Sequence, residues 1–303
     1  MSSVSLSVPD RKAFLAGLAI AIVGAILFST KAIVAKLLYR YHIDAVTLIA
    51  FRMIFSLPFF AAIALWKART QPALTGRERG QIVFLGLIGY YLSSFLDFLG
   101  LQYISAGLER LILFLTPSFV LLLSMVFLKK KITAMEWLAL GTAYLGTVLV
   151  FLHDARAGGS NILLGGAFVL GSAVSYAVYL LMTGELVRRV GSMRLVAYAM
   201  CVSSLACILQ FFLLRPASLL VQPGAVYGLS FLNAVMCTVF PVFLTMAAVA
   251  RIGAATTSQA GMIGPVSTLF LGALILGEPL TGIQLAGTAL VLAGIYLLSR
   301  KRA

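Results

Sequence analysis

Five ionisable side chains stand inside long apolar runs of this sequence: Lys31, Arg52, Asp97, Glu109 and Arg110. A charge held in hydrocarbon costs several kcal/mol, so such residues pair with one another, line a wet path, or both. Three bases with two acids suit a gate or vestibule, which assigns Arg52, Asp97, Glu109 and Arg110 as gate residues. A static ion network that only supports the fold is the alternative.

A second set is neutral. Tyr90, Tyr91 and Ser94 fall in one apolar run and Ser172, Ser175, Tyr176 and Tyr179 in another. Positions 172, 175, 176, 179 and 183 share one helical face by their spacing. Aromatic rings bearing hydroxyls offer an amphipathic solute both contact area and hydrogen bonds. Together with Phe28, Lys31 and Thr238, residues Tyr90, Tyr91, Ser94, Tyr176 and Tyr179 form the candidate substrate contacts. Membrane tyrosines also serve as interfacial anchors, and helix–helix hydrogen bonding is the alternative for Thr238. Pro117 and Pro265 fall mid-run, the second after Gly261 and Gly264, and these four are the candidate hinge.

The elements that must position these residues follow from composition. Of 303 residues, 61% are hydrophobic and 11% charged, against about 45–50% and about 25% in an ordinary soluble domain. Ten apolar runs can be read, at 13–38, 46–66, 80–103, 106–128, 133–152, 162–183, 195–214, 225–249, 254–276 and 282–299. In lipid every backbone polar group must be satisfied within its own segment, so these are helices. The expected fold class is an all-α integral membrane protein of ten transmembrane helices. One set of loops and ends carries sixteen of the Lys and Arg residues and the other four, Lys36 among them. The positive-inside rule then places both termini in the cytoplasm, in an inner (plasma) membrane. The net charge of +14 belongs to those loops and not to a nucleic-acid surface.

A repeat runs through the chain. At an offset of 148 residues Gly17 falls on Gly165, Ile104 on Ile252, Pro117 on Pro265, Thr133 on Thr281 and Gly146 on Gly294. The expected units are 1–151 and 152–303, each of five spans. Five is odd, so the second unit would enter the membrane in the opposite sense, an inverted-repeat plan with a site between the repeats. Under the offset the five charged residues map to Tyr179, Met200, Thr245, Thr257 and Ser258, so one half is ionic and the other neutral.

No Walker A run, HExxH or GxSxG occurs. Cys201, Cys207 and Cys237 lie within apolar runs without metal-ligand spacing. The expectation is a non-enzyme without cofactor or metal, whose partners are a small-molecule substrate and the bilayer, as monomer or homodimer. Proton coupling and facilitated diffusion both remain open.

Several segments carry a family resemblance. They are Phe28-Ser29, Phe51-Arg52, Ile104-Ser105-Ala106-Gly107 leading to Pro117, and Ile252-Gly253-Ala254-Ala255 leading to Pro265. Leu276-Gly277-Glu278-Pro279-Leu280-Thr281 follows, then a last run with Gly287 and Gly294. In these the whole chain resembles the ten-span EamA-type members of the drug/metabolite transporter superfamily. The first half departs from the pattern, with Lys129-Lys130-Lys131 where the second has Gly-Glu-Pro. The resemblance implies export of amino acids, other metabolites or drugs; a lipid-handling protein is the alternative from another class.

Overall fold

The computed structural model describes residues 11–129, 131–156 and 161–300; Lys130, Lys301 and Arg302 of the charge count lie outside them. Every regular element among the described residues is helical. Among the described residues nine segments are long and apolar enough to cross a membrane, and the tenth expected run is a shorter apolar helix, Gly282–Leu298.

The chain starts with α1 (Arg11–Tyr39) and α2 (Ala45–Thr70). Asp44 caps α2, its carboxylate accepting from the Thr47 amide at 2.9 Å, which satisfies one of the orphan donors of a helix start. The third crossing is composite: α3 (Gly76–Gly86), a π-helical turn (Leu87–Leu92) and α4 (Ser93–Leu101). Thr75 and Glu78 open it with a reciprocal capping box. The fourth divides into α5 (Ala106–Leu113) and α6 (Thr116–Leu128), and α7 (Ala134–Arg156) closes the first half.

The second half follows the same order. It comprises α8 (Ile162–Val190), α9 (Ser192–Leu214), then α10 (Gly224–Ala234) with a π turn (Val235–Val239) running into α11 (Phe240–Ala260). Within α11 Gly253 takes φ 77° and ψ 162°, which ends one helix and starts another. Such a backbone suits glycine, which has no Cβ to clash there. α12 (Ile263–Leu271), a π turn (Gly272–Leu276) and α13 (Gly282–Arg300) complete the bundle.

The expected mid-helix proline kinks are corrected by this geometry. The fourth crossing stops at Phe114–Leu115 and restarts, so Pro117 sits in the first turn of α6. There its missing N–H costs nothing, since that donor has no intrahelical partner. Likewise Gly261–Met262 separates α11 from α12, and Pro265 is the third residue of α12. The hinge candidates mark breaks between helices and not bends within one.

Close backbone contacts set the packing. A Cβ on Gly146 would lie 2.5 Å from the Gly287 carbonyl oxygen, and one on Gly294 would lie 2.6 Å from that of Ala139. α7 and α13 thus meet backbone to backbone, as small residues allow in membranes. Gly17 meets Ile252 in the same way that Gly165 meets Ile104. The bundle wears its apolar side outward: Leu163 is 76% exposed and Leu213 74%, whereas Lys31 is 5% and Glu109 0%. That inversion of polarity makes lipid, not water, the surrounding solvent.

Candidate functional site

The first four crossings bring the charged residues together. Lys31 comes from α1, Arg52 from α2, Asp97 from α4, and Glu109 and Arg110 from α5. All five are buried, between 0 and 6% exposed. Lys31 Nζ pairs with Asp97 Oδ2 and stands 3.2 Å from Glu109 Oε1. The second contact is an ion pair without hydrogen-bond alignment.

The arginines depart from the expected pairing with the carboxylates. Arg52 Nε donates to Thr238 Oγ1 at 2.8 Å, and its guanidinium carbon lies 5.1 Å from the centre of the Phe98 ring. Arg110 stands over Phe28 at 4.9 Å and Phe114 at 5.4 Å. Lys31 shares one ring with each arginine, standing 5.6 Å from Phe28 and 5.4 Å from Phe98. The three cations are therefore strung along aromatic faces, where the ring quadrupole offsets part of the lost hydration. Gly264 makes room: a Cβ there would lie 2.8 Å from Arg110 Nη2. Thr238 itself sits on the π turn of the eighth crossing, so the second half reaches into the cluster through Thr238 and Gly264.

The tyrosines form a separate group. Tyr90 and Tyr179 hydroxyls are 3.2 Å apart, and Tyr176 stacks on Tyr179 with ring centres at 5.4 Å. Gly89 leaves space for the Tyr179 ring. Beside them Ser93 and Ser172 hydroxyls meet at 3.0 Å, and Ser175 donates to the Ile88 carbonyl at 2.8 Å. Tyr91 packs on the large core cluster that includes Phe51 and Phe98, and Ser94 is half-buried. Gly261 lies in the turn before α12, and Pro117 and Pro265 lie at the helix restarts.

Sequence reasoning passed over several participants. Phe98 and Phe114 carry no chemical signal beyond apolarity, although Phe98 neighbours Asp97. Glu278 accepts from the Ala106 amide at 3.0 Å, and Arg40 donates to the Leu276 carbonyl at 3.1 Å, tying the α12–α13 connection to the starts and ends of first-half helices. At the same end Ser105 donates to Asp154 at 2.9 Å. Two clefts open here. One of about 290 Å³ is lined by Tyr39, His42, Ile43, Asp44 and Gln102. The other, of about 310 Å³, is lined by Lys36, Tyr39, Arg40, Leu276 and Glu278. Tyr39 is common to both, and its hydroxyl donates to the Phe98 carbonyl at 2.6 Å. The clefts thus end one hydrogen bond from the residue that follows Asp97. Among the described residues no group of three His, Cys, Asp or Glu is placed to hold a metal ion.

The EamA-like transporter family model matches residues 15–152 and again residues 163–300. The chain belongs to this family. Its two EamA-like stretches start 148 residues apart. An uncharacterized transporter of Bacillus subtilis, YcbK, is 31% identical over 90% of this chain and 89% of its own. An uncharacterized transporter of Archaeoglobus fulgidus is 30% identical over 75% of this chain and 79% of its own. A solved crystal structure matches the fold with a TM-score of 0.64 at 18% identity, covering 95% of this chain and 99% of that one. This EamA-like chain is accordingly a multi-pass membrane transporter protein whose bilayer-facing surface is the apolar one described above.

Proposed function

We propose that the chain is a secondary carrier of ten spans that exports small amphipathic metabolites, amino acids including aromatic ones first among them, by alternating access. The observation that carries this reading is the Lys31–Asp97–Glu109 cluster, a set of charges buried where first-half helices meet, with Thr238 and Gly264 of the second half reaching the neighbouring Arg52 and Arg110. Intramembrane charges of that kind mark substrate or ion paths.

An inverted pair of five-span repeats is supported by three observations. The family matches the two stretches separately at the 148-residue spacing. The contacts of Gly146 with Gly287 and of Gly294 with Ala139 exchange under that spacing, as do those of Gly17 with Ile252 and Gly165 with Ile104. The π turns at Leu87–Leu92 and Val235–Val239 start at the same spacing, and π turns recur at functional sites. Carriers built this way rock one repeat against the other around a fixed site. In this plan, which resembles the amino-acid exporter YddG, the cluster and the Tyr90–Tyr176–Tyr179 group are the two faces of the site. The Tyr39 end is its outer side, with Arg52, Asp97, Glu109 and Arg110 toward the gate and the breaks at Pro117 and Gly261–Pro265 as pivots.

The test is uptake of labelled amino acids into proteoliposomes holding the purified full chain, with and without a pH gradient, beside a fluorescent-lipid scrambling assay. Saturable uptake supports the reading, and its response to the gradient assigns the coupling. Lipid scrambling without solute uptake in folded protein replaces it with the lipid-handling alternative.

A further inference from the structure

The buried cluster holds three cations, Lys31, Arg52 and Arg110, and two carboxylates, Asp97 and Glu109. With both carboxylates ionised, one positive charge is left over. Protonating either carboxylate only enlarges that excess. Lys31 serves both acids, so the excess resides on the arginines, whose neighbours are Thr238 and the rings of Phe98, Phe28 and Phe114. Each arginine keeps a buried donor without an acceptor, Nη1 of Arg52 and Nε of Arg110. A desolvated guanidinium stacked on a ring still presents its N–H edge, and that fork fits a carboxylate.

We infer that the solute bound here carries one net negative charge, and that its carboxylate is held by Arg52 and Arg110. The inference rests on the carrier reading of the same site and, among small amphipathic metabolites, puts monoanionic organic acids with an apolar body ahead of zwitterionic amino acids. One monoanion brings the cluster to neutrality. A zwitterion leaves the excess in place and adds an ammonium beside Lys31. A cation worsens it, and with both carboxylates ionised a dianion overshoots. Phe28, 37% exposed, offers a face for the apolar body next to Arg110.

Three probes of the same ring and chain separate these cases: 3-phenylpropionate, phenylalanine and phenethylamine, applied to the full chain in liposomes. The expected result is uptake and thermal stabilisation by 3-phenylpropionate at concentrations at least tenfold lower than for phenylalanine, with none by phenethylamine. If no proton accompanies it, uptake of the acid should speed up under an inside-positive potential, because net charge crosses. Arg52→Gln and Arg110→Gln should each raise the half-saturating acid concentration tenfold or more. Arg52→Lys and Arg110→Lys, which keep charge but lose the fork, should fall between, with melting curves verifying folded protein for all four. Uptake of phenylalanine or phenethylamine as strong as that of the acid overturns the inference and leaves the carrier reading standing. So does unchanged acid affinity in both glutamine variants. Failure of folded wild-type protein to move any of the three overturns both for this solute class.

Discussion

Lys31 Nζ pairs with Asp97 and at the same time stands 3.2 Å from Glu109 Oε1, so a single ammonium from α1 joins α4 to α5 in the interior of the bundle. Removing one partner of a buried ionic group leaves the others uncompensated, at a cost of about 3–5 kcal/mol. Lys31→Met should therefore lower the thermal midpoint of the purified protein clearly, and adding Asp97→Asn should restore part of the loss. A midpoint for Lys31→Met equal to that of the wild type would contradict the pairing.

The α7–α13 seam depends on the absence of side chains. Gly287→Leu should drive a side chain into Val150 and the Gly146 carbonyl, for which overpacking costs of about 1–3 kcal/mol are usual. Gly141 on the same helix as Gly146 has nothing within 4 Å of its would-be Cβ. Gly141→Ala should be neutral or stabilising by up to about 1 kcal/mol. Thermal unfolding of the two variants in one detergent checks the contrast.

How far these features could be read from sequence depends on their range. The five charged residues announced themselves by lying in apolar runs, and the offset of 148 residues was legible because Pro117 and Pro265, Thr133 and Thr281, and Gly146 and Gly294 share it. The helix breaks at Phe114–Leu115 and Gly261–Met262 were not legible as breaks, because a proline bends or restarts a helix according to tertiary packing. Nor could spacing show that Arg52 and Arg110 would meet aromatic rings in place of Asp97 and Glu109. That choice is made by the crossing of α1, α2, α4 and α5, which brings Phe28 and Phe98 between the cations.

The connection at Asp44 gives a pH dependence. Burial pushes its carboxyl up, but hydrogen bonds from Thr47 and the pairing with Arg215 outweigh that and hold it below the usual carboxylate range. A depressed folded value means that the stabilisation is present above the unfolded carboxylate range and is lost as pH falls through the folded one. Asp44→Asn, which can still cap α2, should narrow the difference in thermal midpoint between pH 7 and strongly acidic solution. Asp44→Ala should lose about 1 kcal/mol more at pH 7, the usual worth of an N-cap. An unaltered pH profile in Asp44→Asn would show that the Arg215 pairing contributes nothing.

The clefts beside Tyr39 should change shape if the two halves rock. Arg40 and Glu278 line one cleft from opposite halves of the chain. An Arg40→Cys, Glu278→Cys variant bridged by a cleavable bis-thiol reagent should stop solute movement in proteoliposomes, and cleaving the bridge should return it. Bridged protein that transports at the unbridged rate would rule out movement at this end.

Glu109 offers the most direct test, because it is wholly buried and touches the one ammonium that joins the cluster. Rates of labelled-solute uptake should be compared between wild type and Glu109→Gln in proteoliposomes matched for folded protein by their melting curves. With the cluster at the centre of transport, the variant folds and its uptake falls at least tenfold. A folded Glu109→Gln variant that keeps the wild-type rate would place the transport path elsewhere and reduce the cluster to a structural ion network.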